Sequence, residues 1–197
     1  MALVLVSKST NEPVSIDEVK AHLRILTTSE DNLLGVYIIS ARSYAENLIK
    51  SELTTATRKL ILDDFPGEDK EIELPRPPLS TSSSDVSIEY INTTGATASV
   101  TTSVYVVDHE SRPGRIYCGY DQEWPDTRNE NGAVRITYKC GYSTGACPEP
   151  IKHWIKLRVG AMYENREALS NDGVINRMQY SFVDGLLDEF RVMGRSE

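Results

Sequence analysis

Two neighbouring segments decide the fold: PVSIDEVKAHLRI at residues 13–25 and EDNLLGVYIISARSYAENLI at residues 30–49. Ser15 and Glu18 have the spacing of a capping box, which predicts that a short helix begins there. In the second segment apolar residues recur at three- and four-residue steps, which places them on one stripe of a helix over 30–51. The stripe consists of Leu33, Leu34, Tyr37, Ile38, Ala41, Tyr44, Ala45, Leu48 and Ile49. Both helices offer packing surface, and neither carries a catalytic pattern.

The middle of the chain, residues 56–142, is rich in Thr, Val, Ile, Tyr and Ser, with frequent turn residues and no helical period. Alternating runs predict strands over 57–63, 71–74, 86–91, 104–107, 115–118 and 133–138. Runs this short favour an antiparallel sheet or a small barrel over βαβ units.

Helical periodicity returns after Pro148, and proline suits the first turn of a helix. The predicted helix over 149–167 has one apolar face, formed by Ile151, Trp154, Ile155, Val159, Met162 and Tyr163. We expect this face to pack against the stripe of the 30–51 helix. A last short helix is predicted over 182–192.

The predicted fold class is therefore α+β: a small helical bundle with an inserted antiparallel β section and a C-terminal helical arm. The predicted divisions are a helical part of the core at 1–55, the β section at 56–147, a helix that completes the core at 148–170, and the arm at 171–197.

Charge and composition exclude several classes of function. The 197-residue chain has a formal net charge of −8, so it has no bulk attraction for nucleic acid or anionic membrane. A channel that DNA passes through remains compatible with this charge, because such a channel should not hold phosphates. No stretch approaches the ~20 apolar residues of a membrane span. Cys118, Cys140 and Cys147 form no Cys-x-x-Cys pair, and we expect reduced thiols.

The sequence contains few candidate catalytic or metal-ligating residues, and we expect no catalytic residue, no metal and no cofactor. The three histidines, His22, His109 and His153, are expected to be packing or surface residues. No nucleophile elbow, P-loop or dinucleotide-binding pattern occurs. The acidic cluster of Glu68, Asp69, Glu71 and Glu73 lacks the glycine-bearing loop of a calcium site and is expected to be a solvated strand face.

An aromatic group leaves one alternative open. Tyr117, Tyr120 and Trp124 lie in a loop-rich stretch and could serve a β-rich module that binds a carbohydrate or peptide, with helices on its flanks. The acidic residues interleaved with Arg112, Arg115 and Arg128 cancel the local field, which disfavours single-strand nucleic-acid binding there.

The order of several short motifs resembles that of head–tail connector (adaptor) proteins of tailed bacteriophages. The motifs that carry the resemblance are Pro13-Val14-Ser15 with Glu18, Lys20, His22, Leu23 and Arg24; Ala41-Arg42 with Glu46; 74–79 (LPRPPL); Trp124-Pro125; 134–138 (VRITY) followed by Gly141-Tyr142; Pro148 to Ile151; 163–167 (YENRE); Leu186-Leu187; and Phe190-Arg191. The resemblance covers nearly the whole chain. The section at 80–130 is longer here than in the minimal pattern of the family.

The resemblance implies a structural virion protein at the head–tail interface, made in the host cytoplasm. Its copies, usually twelve in such proteins, would form a ring that binds the portal protein and a stopper or tail-completion protein. The ring would extend the DNA channel, with only transient, non-specific DNA contact and no membrane. A stopper or tail-completion role for this chain is the alternative.

Candidate interface residues follow from this implied ring. Copies in a ring meet through two different faces, and arginines near helical surfaces are candidates for pairing with acids of a neighbour: Arg24, Arg42, Arg158 and Arg166. The arm at 171–197 has a small apolar face formed by Phe182, Leu186, Leu187 and Phe190. An isolated short helix cannot stabilise such a face in water, so we expect it to dock on the portal or on a neighbouring adaptor. The alternative is that it folds back on its own subunit.

Overall fold

The computed structural model describes residues 1–67, 71–166 and 185–192. The chain divides into two units, each discontinuous in sequence. The β unit comprises Met1–Ser9 and Thr55–Tyr142, and the helical unit comprises Thr10–Thr54 and Ser143–Glu197. The predicted α+β class is confirmed, with antiparallel sheets formed mainly by the middle of the chain.

The helical unit contains α1 (Ile16–Leu23), α2 (Asp31–Ile49), α3 (Glu149–Glu164) and a short 3-10 helix, Gly185–Phe190. The predicted capping box is present at the start of α1. The Glu18 backbone N–H donates to Ser15 Oγ at 3.1 Å, and the Ser15 backbone N–H donates to the Glu18 carboxylate at 2.7 Å. Arg24 ends α1 in the left-handed conformation.

The predicted packing of α2 against α3 is confirmed. The buried apolar residues of the two helices are Leu34, Ile38, Ala41, Ala45, Ile49, Ile151, Trp154, Ile155 and Val159. The 3-10 helix also contacts both α2 and α3. No helix in the described ranges combines the length and apolar character needed to cross a membrane.

The described residues of the β unit form two antiparallel sheets. The strands are β1 (Ala2–Lys8), β2 (Ala56–Leu62), β3 (Ile72–Leu74), β4 (Val86–Ile91), β5 (Thr97–Ser99), β6 (Tyr105–Asp108), β7 (Gly114–Cys118) and β8 (Val134–Cys140). One sheet has the order β1-β2-β8-β4-β5, and the other has the order β3-β7-β6. Leu60, Ile136 and Ile88 are in register on three adjacent strands and are fully buried, so they form the centre of the core of this unit.

Two strands were not among the predicted ones, and one of them changes the domain division. Residues 2–8 were placed in the N-terminal helical part, but they form β1 on the edge of the larger sheet. Their apolar run does not alternate, and their partner β2 lies about fifty residues away, so no local pattern indicates the pairing. The second, β5, has only three residues. The boundary predicted after residue 147 lies instead after Tyr142.

Candidate assembly surfaces

The candidate metal-ligating and reactive side chains are acidic residues, histidines and cysteines. No group of three or more potential metal ligands occurs among those residues. Glu71 and Glu73 lie 3.5 and 4.0 Å from the Arg115 guanidinium, while Glu68 and Asp69 lie outside the described residues. Burial raises the pKa of the Cys147 thiol to about 12, so this thiol is unreactive at neutral pH.

Two of the three histidines meet in the helical unit. The rings of His22 on α1 and His153 on α3 have their centroids 6.1 Å apart in an edge-on arrangement. Burial lowers the pKa of His22, and the nearby His153 and Lys156 lower it further. These three effects together favour an uncharged His22 at neutral pH.

The aromatic group considered for ligand binding is divided between two roles. Trp124 stacks on Phe65 with ring centroids 4.7 Å apart and an interplanar angle of 4°, and it packs against the core of the β unit. Tyr120, by contrast, is exposed. Because Trp124 is used in packing, the three aromatic side chains do not form one open binding face.

Arg42, a candidate for contact with a neighbouring copy, is instead buried within its own subunit. Its Nε donates to Glu12 Oε2 at 2.7 Å, and its Nη1 donates to Glu46 Oε2 at 2.8 Å. The other oxygen of Glu46 accepts the Leu53 backbone N–H at 3.0 Å. Burial lowers the pKa of Arg42, but the two carboxylates outweigh this effect and raise it. In the subunit, therefore, the Arg42 guanidinium holds the segment around residue 12 on α2, while its partner Glu46 holds the segment around residue 53.

The other three candidate arginines lie on the surface of the helical unit. The Arg158 guanidinium lies 5.1 Å from the centroid of the Tyr44 ring. The same ring stacks with that of Trp154. Arg166 donates to Glu30 at 2.6 Å and lies over the ring of Tyr163. These two are engaged inside the subunit, and each is still partly exposed.

Arg24 is exposed on the surface of the helical unit. It follows the last residue of α1, and its side chain is exposed at the start of the loop that leads to α2. An exposed cation in this position can reach an acidic group of another chain, so Arg24 remains an interface candidate.

The residues expected to dock on the portal are only partly available. Leu187 is fully buried, and Leu186 and Phe190 are half-buried. The Val192 backbone N–H donates to the Ile49 carbonyl at 3.0 Å, so residues 185–192 are held on their own subunit. In this conformation Leu187 cannot reach another protein. Phe182 lies outside the described residues.

One exposed surface was missed by the sequence analysis. Six residues of α2 are exposed, and none of them carries a charge. One of them, Tyr44, has the Arg158 guanidinium over its ring. We call the other five the uncharged face: Asn32, Val36, Ile39, Ser40 and Asn47. Val36 and Ile39 are 58% and 48% exposed. The sequence signal is the scarcity of charge, because Arg42 and Glu46 are the two charged residues between 32 and 49. Both are buried in the structure.

A second exposed apolar surface lies on β1, whose one neighbouring strand among the described residues is β2. Its exposed apolar residues are Val4, Leu5 and Val6. An apolar edge strand can pair with a strand of another chain, and soluble proteins usually protect such edges. The exposed edge is therefore a second candidate contact.

The structure is thus an α+β fold with two exposed surfaces, one on α2 and one on β1. The chain belongs to the phage gp6-like head-tail connector family, whose sequence profile matches residues 13–112, half of the chain. The resemblance inferred from the sequence motifs is therefore confirmed. A search of curated proteins gave no significant match.

Solved structures share this fold along the entire chain. The chain is similar to a protein in the neck of an empty GTA particle computed with C6 symmetry, with a TM-score of 0.75. It is also similar to one in the virion of a native gene transfer agent particle, at 0.77, and to one in a native GTA neck computed with C12 symmetry, at 0.74. In each case identity is 19%, and the alignment covers 100% of this chain and 98% of the other.

Proposed function

We propose that this protein is the adaptor at the head–tail interface of a virion. Twelve copies form a ring that binds the portal on one side and a stopper or tail-completion protein on the other. The ring extends the channel through which the genome passes. The protein contributes shape and contacts, and its role is assembly.

The observation that carries this proposal is the similarity along the whole chain to proteins of particle necks, combined with membership of the connector family. One of those necks was computed with C12 symmetry, which supports twelve copies. The family assignment alone covers 13–112, so the structural similarity is what extends the argument to α3 and the second half of the β unit.

The charge of the protein suits a channel component. With a net charge of −8 per copy, a ring carries a large excess of negative charge and repels phosphates on average. DNA in transit would then touch the ring transiently and without sequence preference. Screening at physiological salt limits this repulsion to about 8 Å, so it acts at the channel wall.

We also propose that the C-terminal arm contacts the portal. Leu186 and Phe190 keep part of their surface open in the free subunit, and Phe182 would add to the same contact. Leu187 could join only if residues 185–192 leave α2 and α3. Arg24 is proposed to pair with an acidic group of a neighbouring copy.

Electron microscopy of the protein mixed with its portal tests the proposal. We expect a ring seated on the portal, and native mass spectrometry should give about 264 kDa for the ring, which is twelve times 22.0 kDa. A protein that ignores the portal but binds the tail-side component would instead be a stopper or tail-completion protein. A monomer that binds neither component would contradict the proposal.

A further inference from the structure

The distribution of charge around α2 is the reverse of that expected for a surface helix. Helices on the surface of soluble proteins direct apolar residues inward and charged residues toward water. Between Asn32 and Ile49, α2 has two charged residues, Arg42 and Glu46, and both are buried. The outward side is the uncharged face, in which Val36 and Ile39 are the exposed apolar residues. This side of α2 has the composition of an interface core, where charged residues are depleted.

A second uncharged feature lies just before α2. The loop over residues 25–29, with the sequence ILTTS, carries no charge. Leu26 in this loop is 96% exposed, so its side chain touches almost nothing of its own subunit. A leucine presented in this way is a knob that can insert against an apolar surface of another molecule.

The charge of the whole chain indicates which molecule covers these features. Copies with a net charge of −8 repel one another, so contact between copies is least opposed where both surfaces lack charge. A closed ring also requires two different complementary patches on every copy. The knob at Leu26 and the uncharged face of α2 are such a pair.

We propose that Leu26 of each copy packs against Val36 and Ile39 on the uncharged face of α2 in the next copy. This inference rests on the proposed ring and adds the contact that closes it. The exposed Arg24, two residues before the knob, lies at the polar rim of the same contact.

Cross-linking between two different single-cysteine variants tests the contact directly. Leu26→Cys and Ile39→Cys are prepared in a Cys118→Ser background, because Cys140 and Cys147 are already buried. Equal amounts are mixed, assembled with the portal and treated with a short bis-maleimide. We expect covalent dimers in the mixture and none with either variant alone.

A matched control uses Val106→Cys in place of Ile39→Cys. Val106 lies on β6 and is 58% exposed, which is comparable to the exposure of the α2 residues. We expect no dimers from Leu26→Cys mixed with Val106→Cys. Dimers from Leu26→Cys alone would mean that the knob meets its own counterpart, and this would overturn the proposed pairing. Rings that form without any 26–39 cross-link would overturn it as well.

Charge insertion provides an independent measurement. Ile39→Asp should raise the protein concentration needed for half-maximal ring assembly by about tenfold or more, as for an interface hot spot. Val106→Asp should leave it unchanged. If Ile39→Asp loses helical circular dichroism, Leu26→Ser at the exposed loop gives the same test without touching a helix.

Different results would refute the contact between copies and the proposed ring. Wild-type rings together with unimpaired assembly of both Ile39→Asp and Leu26→Ser would refute the contact while leaving the ring intact. A wild-type protein that forms no ring on its portal would refute the proposed function, and the contact with it. Loss of portal binding by Ile39→Asp, without a 26–39 cross-link in rings of the mixed Leu26→Cys and Ile39→Cys variants, would assign the uncharged face to the portal and overturn the inference.

Discussion

Replacing Arg42 by methionine should destabilise the helical unit more than any other arginine substitution considered for this chain. Methionine retains an unbranched apolar stem but removes the guanidinium. Glu12 and Glu46 then lose the donor groups that lie 2.7 and 2.8 Å away. Two carboxylates would remain in a largely dry site, and the Glu46 carboxylate cannot turn to water without releasing the Leu53 backbone N–H.

The magnitude follows from the burial of the three side chains. The side chains of Arg42 and Glu46 are 9% and 7% exposed, and that of Glu12 is 21% exposed. Removing one partner of a buried ion pair costs about 3–5 kcal/mol. Because water reaches Glu12 in part, we expect the lower end, about 3 kcal/mol of unfolding free energy.

Urea unfolding followed by circular dichroism at 222 nm measures this loss, since the α-helices lie in the helical unit. Arg166→Met is the matched control, because it removes the same group from an exposed pair with Glu30 in which the side chains are 48% and 29% exposed. An exposed pair contributes about 0–1 kcal/mol. Adding Glu46→Gln to Arg42→Met should restore part of the stability, because it removes one unpaired charge. A cost for Arg42→Met no larger than that of Arg166→Met would refute the reasoning.

Three further predictions concern packing and pH. Ile38→Asp should prevent folding of the helical unit because it places an unpaired charge in the core, whereas Ile39→Asp on the exposed side should keep a wild-type-like melting temperature. Leu187→Ala should cost about 2–5 kcal/mol in urea unfolding, since Leu187 is fully buried; a cost near zero would show that residues 185–192 detach from the core in solution. Because the pKa of His22 is lowered on folding, the unfolded chain binds more protons, so stability should fall as the pH drops below about 6.5. His22→Gln should flatten this dependence between pH 7 and 5, and an unchanged slope would assign it to other groups.

The helices and most strands were predictable because their signals are local. The capping box at Ser15 and the apolar periodicities of α2 and α3 are contained within the segments that form them. The strand β1 was not predictable in the same way, because its place in the sheet depends on pairing with β2, far away in the sequence. A continuous apolar run at a chain end does not specify a partner.

The interface residues were harder to predict because their roles depend on burial. Arg42 and Glu46 form an i,i+4 pair, which in a sequence resembles an ordinary surface pair. Only the approach of Glu12 and the Leu53 backbone makes the site internal. Leu187 was likewise expected to be available for docking, because the helices that its own 3-10 helix contacts, α2 and α3, are distant in sequence. The uncharged face of α2 depends on the same burial, because Glu46 lies seven residues after Ile39, near the same side of the helix, and is buried by its contacts with Arg42 and Leu53.

A cryo-electron microscopy map of the assembled neck tests the central claim most directly. The account predicts one closed ring of this protein between the portal and the stopper or tail, with α1, α2 and α3 identifiable in each copy and Leu26 against α2 of the next copy. A neck in which that layer is formed by another protein, or in which this chain lies outside the channel axis as isolated copies, would contradict the account.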